Sequence, residues 1–253
     1  MPPHKMQDAP PSAVGADALD LKLLQRSLTA DEADFKVYEN NVHDTMREFP
    51  ELRKQRMADF YRVFKLICES DNARDKRRKV FDFFNKEISA ENNFQTSEIY
   101  TISHELLVLV DEFRELLDRL YAWCNLCMPA NDQAFAESHR QKIKNFQAQL
   151  VQEMKRSNST RTQVSSTHSM RLVTLRNMFS TKDVAGKNVE AWEKAHHDLL
   201  TLQESNSYLL MARNWENILE SMLLLYNYWK INLSNERILF LDGKTAGNSD
   251  YFA

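Results

Sequence analysis

The sequence predicts an all-α protein, an up-and-down bundle of four long helices, on three grounds. First, the 253 residues include only 4 glycines and 6 prolines, which is too few turn residues for a β-rich or α/β fold of this length. Second, leucine, glutamate, lysine, arginine, glutamine and methionine are abundant, and these residues favour helices. Third, apolar residues recur at helical spacing in four long runs.

Composition limits the classes of function. Hydrophobic residues make up 43% and charged residues 27% of the chain, as in ordinary globular domains. The net charge of −3 gives no electrostatic reason to expect a nucleic-acid partner. No apolar run reaches the roughly 18 residues of a membrane span, and the start lacks a signal peptide's apolar stretch. We therefore expect a cytoplasmic or nuclear protein that binds neither nucleic acid nor membrane.

Three regions follow from the local composition. Residues 1–30 are polar and rich in proline and alanine, which predicts a disordered leader. Residues 31–241 are expected to form the bundle. Gly243 suits a helix C-cap, so residues 242–253 are expected to be a flexible tail.

The first helical run extends from about residue 31 to Cys68. Its predicted core positions include Val42, Met46, Phe49, Phe60, Phe64 and Ile67. Pro50 lies within the run, so we expect either a kink and restart near Phe49 or a break between two shorter helices.

Residues 69–96 are charged and polar, which predicts a linker between the first two helices. A short amphipathic piece, Val80–Phe84, lies within it. The basic cluster Lys76–Lys79 is interpreted as a solvated loop, and a nuclear import signal is the alternative.

The second run carries the most regular pattern in the chain. Its apolar residues are spaced alternately by four and three, which is a heptad seam held for three repeats. Thr96 or Ser97 suits the N-cap, and Pro129 ends the helix. The seam consists of Leu106, Val110, Phe113, Leu117, Leu120, Cys124 and Cys127.

The last two runs extend over about 133–179 and about 188–240. In the earlier run, residues 157–169 are rich in serine and threonine, so they predict either a loop or the weak middle of one continuous helix. The predicted core positions of that run are Phe135, His139, Ile143, Phe146, Leu150, Met154, Met170, Leu172, Val173, Leu175 and Met178. Those of the later run are Trp192, Ala195, Leu199, Leu202, Asn206, Leu209, Trp215, Ile218, Met222, Tyr226 and Trp229.

Several apolar residues fall outside these stripes. A single bundle does not need such wide apolar faces, so the pattern predicts that subunits pack side by side. The residues concerned are Leu107, Leu109, Leu116, Tyr208, Leu210 and Leu224.

The sequence contains no catalytic constellation. Cys124 and Cys127 form a Cys-x-x-Cys pair, but a redox site needs that pair at a helix N-terminus, whereas here a helix precedes it and Pro129 follows. Both thiols lie on the heptad seam, so we interpret them as core residues. His196 and His197 are adjacent and point to different helix faces. We predict no enzyme, no metal and no cofactor.

Taken in order, three features resemble the 11S (REG-type) proteasome activator family. Residues Trp123–Pro129 fit the pattern W-x-x-L-x-[IM]-P at the end of the second helix. The second feature is a set of residues on the last helix: Ala212, Arg213, Asn214, Leu219, Met222, Leu224, Trp229, Lys230 and Ile231. The third feature is the predicted flexible tail at the end of the chain. The resemblance extends from about residue 31 to the end.

The resemblance implies a four-helix subunit that assembles into a heptameric ring and caps the α-ring of the 20S proteasome without ATP. The C-terminal tail would enter pockets between α subunits: the carboxylate of Ala253 would pair with a lysine, and Tyr251 and Phe252 would fill the apolar part. Seven weak tails on one ring would bind jointly.

The resemblance also implies an activation loop that presses on the proteasome gate. The matching residues are Ala130, Asn131, Asp132, Gln133, Ala134, Phe135, Ala136, Glu137 and Ser138. The loop in the family is rich in Asp, Gly and Asn, and this segment contains Asn131 and Asp132 but no glycine. Two other classes remain alternatives: a helical adaptor that binds partner helices, and a thiol oxidoreductase that uses Cys124 and Cys127.

Overall fold

The structure, a computed structural model, describes residues 32–88, 98–126, 134–182 and 186–234. Within these ranges the chain is helical and contains no strand, which confirms the all-α prediction. No helix in the same ranges has the length and apolar character needed to cross a membrane. The helices are α1 (Glu32–Val63), α2 (Lys65–Cys68), α3 (Ala73–Glu87), α4 (Glu98–Leu126), α5 (Ala134–Thr181) and α6 (Val189–Asn232), with a 3-10 turn at Gly186–Asn188.

Helix α1 is continuous through Pro50, so of the two alternatives a break between two shorter helices is wrong. A proline inside a helix removes one backbone hydrogen bond and crowds the carbonyl four residues earlier. Pro50 lies on the exposed side of α1, where water can reach the backbone. Buried neighbours Met46 and Phe49 hold the helix against the core on the other side.

The region predicted as a linker contains the helix α3. Asn72 caps it, because the Asn72 side chain accepts hydrogen bonds from the backbone N–H groups of Arg74 and Asp75 at 3.0 Å each. Val80 and Phe84 on α3 are buried in the core. The basic cluster Lys76–Lys79 therefore lies on a helix rather than in a loop.

Helix α4 follows the predicted seam closely. Leu106, Val110, Phe113, Leu117, Leu120 and Cys124 are all buried, and Cys127 lies outside the described residues. The predicted N-cap residues, Thr96 and Ser97, also lie outside them. The buried face of α4 is wider than the seam, since Leu109 and Leu116 are buried inside the same subunit. These two residues therefore do not support side-by-side packing of subunits, and neither does Tyr208, which is also buried.

Helix α5 is continuous across the Ser/Thr-rich residues 157–169, which settles the choice between loop and helix. One side of this segment is buried, at Ser157, Thr160 and Val164. On the exposed side, hydroxyl groups donate to the carbonyl one turn earlier, as from Thr162 to Asn158 at 3.0 Å. Burial of one face stabilises a segment whose helix propensity is low.

The predicted stripe of α6 is correct in the second half of the helix and wrong in the first half. Trp215, Ile218, Met222 and Trp229 are buried as expected. Leu199 and Leu202 are instead exposed. The buried residues of the first half are mostly polar: Leu200, Thr201, Glu204, Ser205, Ser207, Tyr208 and Met211. On α5, Met170, Leu172 and Val173 are likewise exposed, although Leu175 and Met178 are buried.

The long helices pack in antiparallel pairs, because contacting residue numbers rise along one helix as they fall along the other. This holds for α1 with α4, α4 with α5, α5 with α6, and α6 with α1. The α1–α4 pair is shown by Arg62–Glu105 and Arg56–Glu112, and the α4–α5 pair by Asn158–Arg114 and Arg161–Asp111. The α5–α6 pair is shown by Ser221–Glu153, Asn214–Gln163 and Arg171–Glu204. The α6–α1 pair is shown by Arg53–Leu219, Trp215–Arg56 and Tyr208–Val63.

Candidate functional site

The end of α4, the start of α5 and the end of α6 lie toward one end of the molecule, which we term the loop end, and the first turns of α5 extend beyond the end of α4. Here α4 ends at Leu126, α5 begins at Ala134 and α6 ends at Asn232. Asn125 of α4 accepts a 2.6 Å hydrogen bond from the Gln147 side chain of α5. The connection 127–133 and the residues that follow α6 therefore both leave from the loop end.

Tyr228 joins α6 to α5 at the loop end. Its ring stacks on Phe146 with centroids 5.5 Å apart, and its hydroxyl donates to the Lys142 carbonyl at 2.9 Å. Burial raises the pKa of Tyr228, while a hydrogen bond with Asn145 opposes the shift. The phenol is therefore a neutral hydrogen-bond donor near pH 7.

A groove of about 520 Å³ lies beside this contact, between the first turns of α5 and the last turns of α6. Its lining residues carry amide, hydroxyl and charged groups from both helices, although apolar atoms supply most of the exposed surface. It can therefore accept hydrogen bonds from, or donate them to, a polypeptide backbone. The lining residues are Glu137, Ser138, Gln141, Lys142, Asn145, Tyr228 and Asn232.

An aromatic cluster connects α1, α4 and α6 below the groove. The His43 ring lies 5.5 Å from the Trp229 ring and 6.1 Å from the Trp123 ring, measured between centroids. Burial lowers the pKa of His43, with Arg47 as a second cause. Both indoles are buried, so they fix the last turns of α4 and α6 relative to each other.

The structure describes only part of the predicted site. Ala134–Ser138 form the first turn of α5 rather than a loop, and Glu137 is ion-paired with Arg140 at 3.3 Å. Ala130, Asn131, Asp132 and Gln133 lie outside the described residues. The tail residues Tyr251, Phe252 and Ala253 lie outside them as well, as does Gly243.

Cys124 is fully buried, as the seam predicted. Burial raises the pKa of its thiol to about 12. A thiol with this pKa is protonated at neutral pH, and only the thiolate attacks disulfides. Cys124 is thus unsuited to the thiol oxidoreductase mechanism.

Sequence patterns did not identify a buried ion pair far from the loop end. The side chains of Arg171 on α5 and Glu204 on α6 are only 3% and 1% exposed and form a salt bridge. Arg171 also donates to the Tyr100 hydroxyl at 3.0 Å, and the Tyr100 ring stacks on His168. Burial raises the pKa of Glu204, although the bond from Arg171 opposes this. The partners are distant in sequence, so no local motif could reveal the pair.

The two adjacent histidines serve separate local roles. His196 contacts the Trp192 carbonyl through Nδ1 at 2.8 Å, and His197 contacts the Asn85 carbonyl through Nε2 at 3.1 Å. In the part of the chain that the structure describes, no three His, Cys, Asp or Glu side chains are grouped as metal ligands.

Comparison of the chain with protein-family models, with curated proteins and with solved structures finds no match. The geometry of the loop end and the residue patterns are therefore the basis for a functional proposal.

Proposed function

We propose that this chain is a subunit of an 11S-type proteasome activator. The four long helices α1, α4, α5 and α6 form an up-and-down bundle, and seven such bundles assemble side by side into a ring. The ring docks on the α-ring of the 20S proteasome, in the cytoplasm or nucleus, and promotes gate opening and peptide hydrolysis without ATP.

One observation carries the proposal: the end of α4, the start of α5 and the end of α6 lie toward the same end of the molecule. A cap that docks through tails and acts on a gate through loops needs both on one surface. The resemblance of Trp123–Pro129 and of the last helix to the 11S family supports the same assignment. Buried Trp123 and Trp229 brace the two segments through His43.

Each segment has a separate task in this proposal. Tyr251, Phe252 and Ala253 supply affinity by entering pockets between α subunits. One short tail binds weakly, whereas several tails on one rigid ring raise the effective concentration and hold the cap in place. Residues 130–138 contact the gate, and Glu137 and Ser138 are held on the first turn of α5.

The test is hydrolysis of a fluorogenic peptide by latent 20S proteasome. Full-length protein is compared with no addition, with protein that lacks Tyr251–Ala253, and with a control that lacks three residues at the start, Met1–Pro3. We expect full-length protein and the control to stimulate hydrolysis and the tail deletion to abolish stimulation. If full-length protein neither binds the proteasome nor stimulates hydrolysis, the proposal is wrong.

A further inference from the structure

The first half of α6 exposes apolar residues on one side and buries polar residues, beside Leu200 and Tyr208, on the other. Leu199 and Leu202 are 50% and 52% exposed. At the same level the interior holds Glu204, with Thr201 and Ser205 beside it. Helices normally bury their apolar face and expose the polar one. The sequence of α6 therefore carries a second apolar stripe, on the side that faces away from its own core.

Helix α5 extends this outward apolar surface. Met170 and Val173 are 60% and 56% exposed. The salt bridge Arg171–Glu204 and the 3.1 Å hydrogen bond from Trp192 to Thr181 align this segment of α5 with the first half of α6. Met170 and Val173 thus lie at the level of Leu199 and Leu202. We term these four residues the outer patch.

We infer that the outward sides of α5 and α6, centred on the outer patch, pack against the α1 and α4 side of a second copy of this chain. The inference rests on the ring assembly in the proposed function and assigns the surface that builds it. The side that receives the patch lies across the molecule, because α5 and α6 pair with each other while α1 pairs with α4. Packing one side onto the opposite side of a neighbour is a heterologous contact, which generates a ring when the rotation between copies closes.

The size of the surface favours a second copy over a short peptide. Helix α6 has 44 residues and is thus about 66 Å long. With helices spaced by about 10 Å, the α5/α6 side covers roughly 1,300 Å², above the roughly 800 Å² per partner of a stable interface. Further apolar side chains continue along it, since Leu210 and Leu224 are exposed. Another bundle of equally long helices can cover such a surface.

Charge also favours this pairing. Helix α5 has 8 basic and 2 acidic residues, so its net charge is +6. Helix α4 has 2 basic and 6 acidic residues, so its net charge is −4. A neighbour that presents α4 to the α5 side is therefore attracted, while two α5 sides repel each other.

Residues at equal levels meet when copies are related by rotation about an axis parallel to the helices. Arg114 bonds Asn158 at 2.7 Å, so Lys155 on α5 lies within one turn of the level of Glu115 on α4. Both Lys155 and Glu115 are exposed.

At the level of the outer patch α1 has ended, because the hydrogen bond from Tyr208 to the Val63 carbonyl places the last turn of α1 beside Tyr208. Apart from α5 and α6, the described elements at this level are α3, whose Asn85 carbonyl contacts His197, and the first turn of α4, whose Tyr100 hydroxyl accepts a hydrogen bond from Arg171.

The first experiment measures oligomeric state by sedimentation velocity over a range of concentrations. It compares full-length protein, the double variant Leu199→Glu/Leu202→Glu, and the control Leu199→Met/Leu202→Met, which keeps an apolar side chain at both exposed positions. We expect the double variant to need more than tenfold higher concentration to assemble and the control to stay within twofold. Helical content and Tm are measured for each, because exposed positions should leave folding intact.

The second experiment tests the receiving side with charge reversals. Lys155→Glu and Glu115→Lys should each weaken assembly alone. The double variant Lys155→Glu/Glu115→Lys should restore it, because the carboxylate introduced on α5 of each copy then faces the ammonium group introduced on α4 of the next.

The outcomes separate this inference from the proposed function. If full-length protein assembles and both sets of variants assemble equally well, the inference is wrong while the activator proposal stands. Full-length protein can instead form a ring that does not stimulate the proteasome, while the variants fail to form that ring. In this case the assigned surface is correct and the activator proposal is wrong. Full-length protein that is monomeric at every concentration overturns both.

Discussion

Removing one partner of the Arg171–Glu204 pair should destabilise the fold strongly, and removing both should cost far less. Each side chain is almost fully buried, so Arg171→Met leaves a carboxylate without its cation and Glu204→Leu leaves a guanidinium without its anion. Breaking such a pair costs about 3–5 kcal/mol, whereas replacing both partners by apolar residues is often neutral or stabilising. We therefore expect each single variant to unfold far more readily than the double variant Arg171→Met/Glu204→Leu.

The assay is urea unfolding followed by circular dichroism, with Tm as a second readout. For a protein of this size, 1 kcal/mol shifts Tm by about 2–4 °C, so each single variant should lose roughly 6–20 °C. The matched control is Asp44→Asn, which removes the exposed pair with Arg47 and should cost under about 1 kcal/mol. Single variants that cost no more than this control, or a double variant that costs the sum of the singles, would refute the reasoning.

Three further predictions concern the loop end and the buried thiol. Cys124, whose thiol pKa is about 12, should resist alkylation at pH 7.5 in the folded protein and react only after unfolding; prompt labelling detected by mass spectrometry would contradict this. The folded pKa of His43 lies below 6.5, so the unfolded chain binds a proton first and stability falls as pH drops below about 6.5. His43→Gln should make that decline in the free energy of unfolding shallower, and an unchanged slope would contradict burial of the imidazole. Tyr228→Phe removes the bond to the Lys142 carbonyl and should cost about 1 kcal/mol in urea unfolding; no loss would indicate that water replaces the hydroxyl.

The sequence predicts best where a helix buries one purely apolar stripe. The α4 seam is of this kind, because Leu106, Val110 and Phe113 need no partner of a particular chemistry to be buried. Only the width of the face was underestimated, since Leu109 and Leu116, seven residues apart and therefore on one side of the seam, are buried as well. Periodicity identifies the centre of a buried face, while its edges depend on which neighbours pack there.

Helix α3 was missed for a different reason. Its first turns are charged, and only Val80 and Phe84 reach the core. The helix is nevertheless stabilised by the Asn72 cap and by contact with α6. A cap residue before a charged segment is a weak signal in sequence, because asparagine is equally common in loops.

The first half of α6 could not be oriented from its own pattern, because it has an apolar stripe on each side. Leu199 and Leu202 repeat at helical spacing, and so do Leu200 and Met211 on the side that is buried. Burying the side that carries Leu200 and Met211 also buries the carboxylate of Glu204. Burial of this carboxylate is favourable only because Arg171 of α5 forms a salt bridge with it. Information that decides the orientation therefore lies on another helix.

The candidate site shows a similar division. Sequence predicted that α4 ends at Pro129, which lies outside the described residues, and the described part of α4 extends to Leu126. It could not show that Tyr228 and Asn232 would line one groove with Glu137 and Ser138, since these residues are far apart in the chain. That arrangement follows from the antiparallel packing of α5 on α6.

The two ends of the α5–α6 pair are built for different purposes. Near the loop end the contacts are aromatic and inward, as in the stack of Phe146 on Tyr228. Further along, the interior becomes polar at Arg171 and Glu204 while Leu199 and Leu202 face outward. If stability of the isolated subunit were the only requirement, exchanging these inner and outer residues would improve it. The exposed leucines are therefore best explained by a surface that is buried only when copies of the chain assemble, and loss of assembly in Leu199→Glu/Leu202→Glu is the result on which this explanation depends.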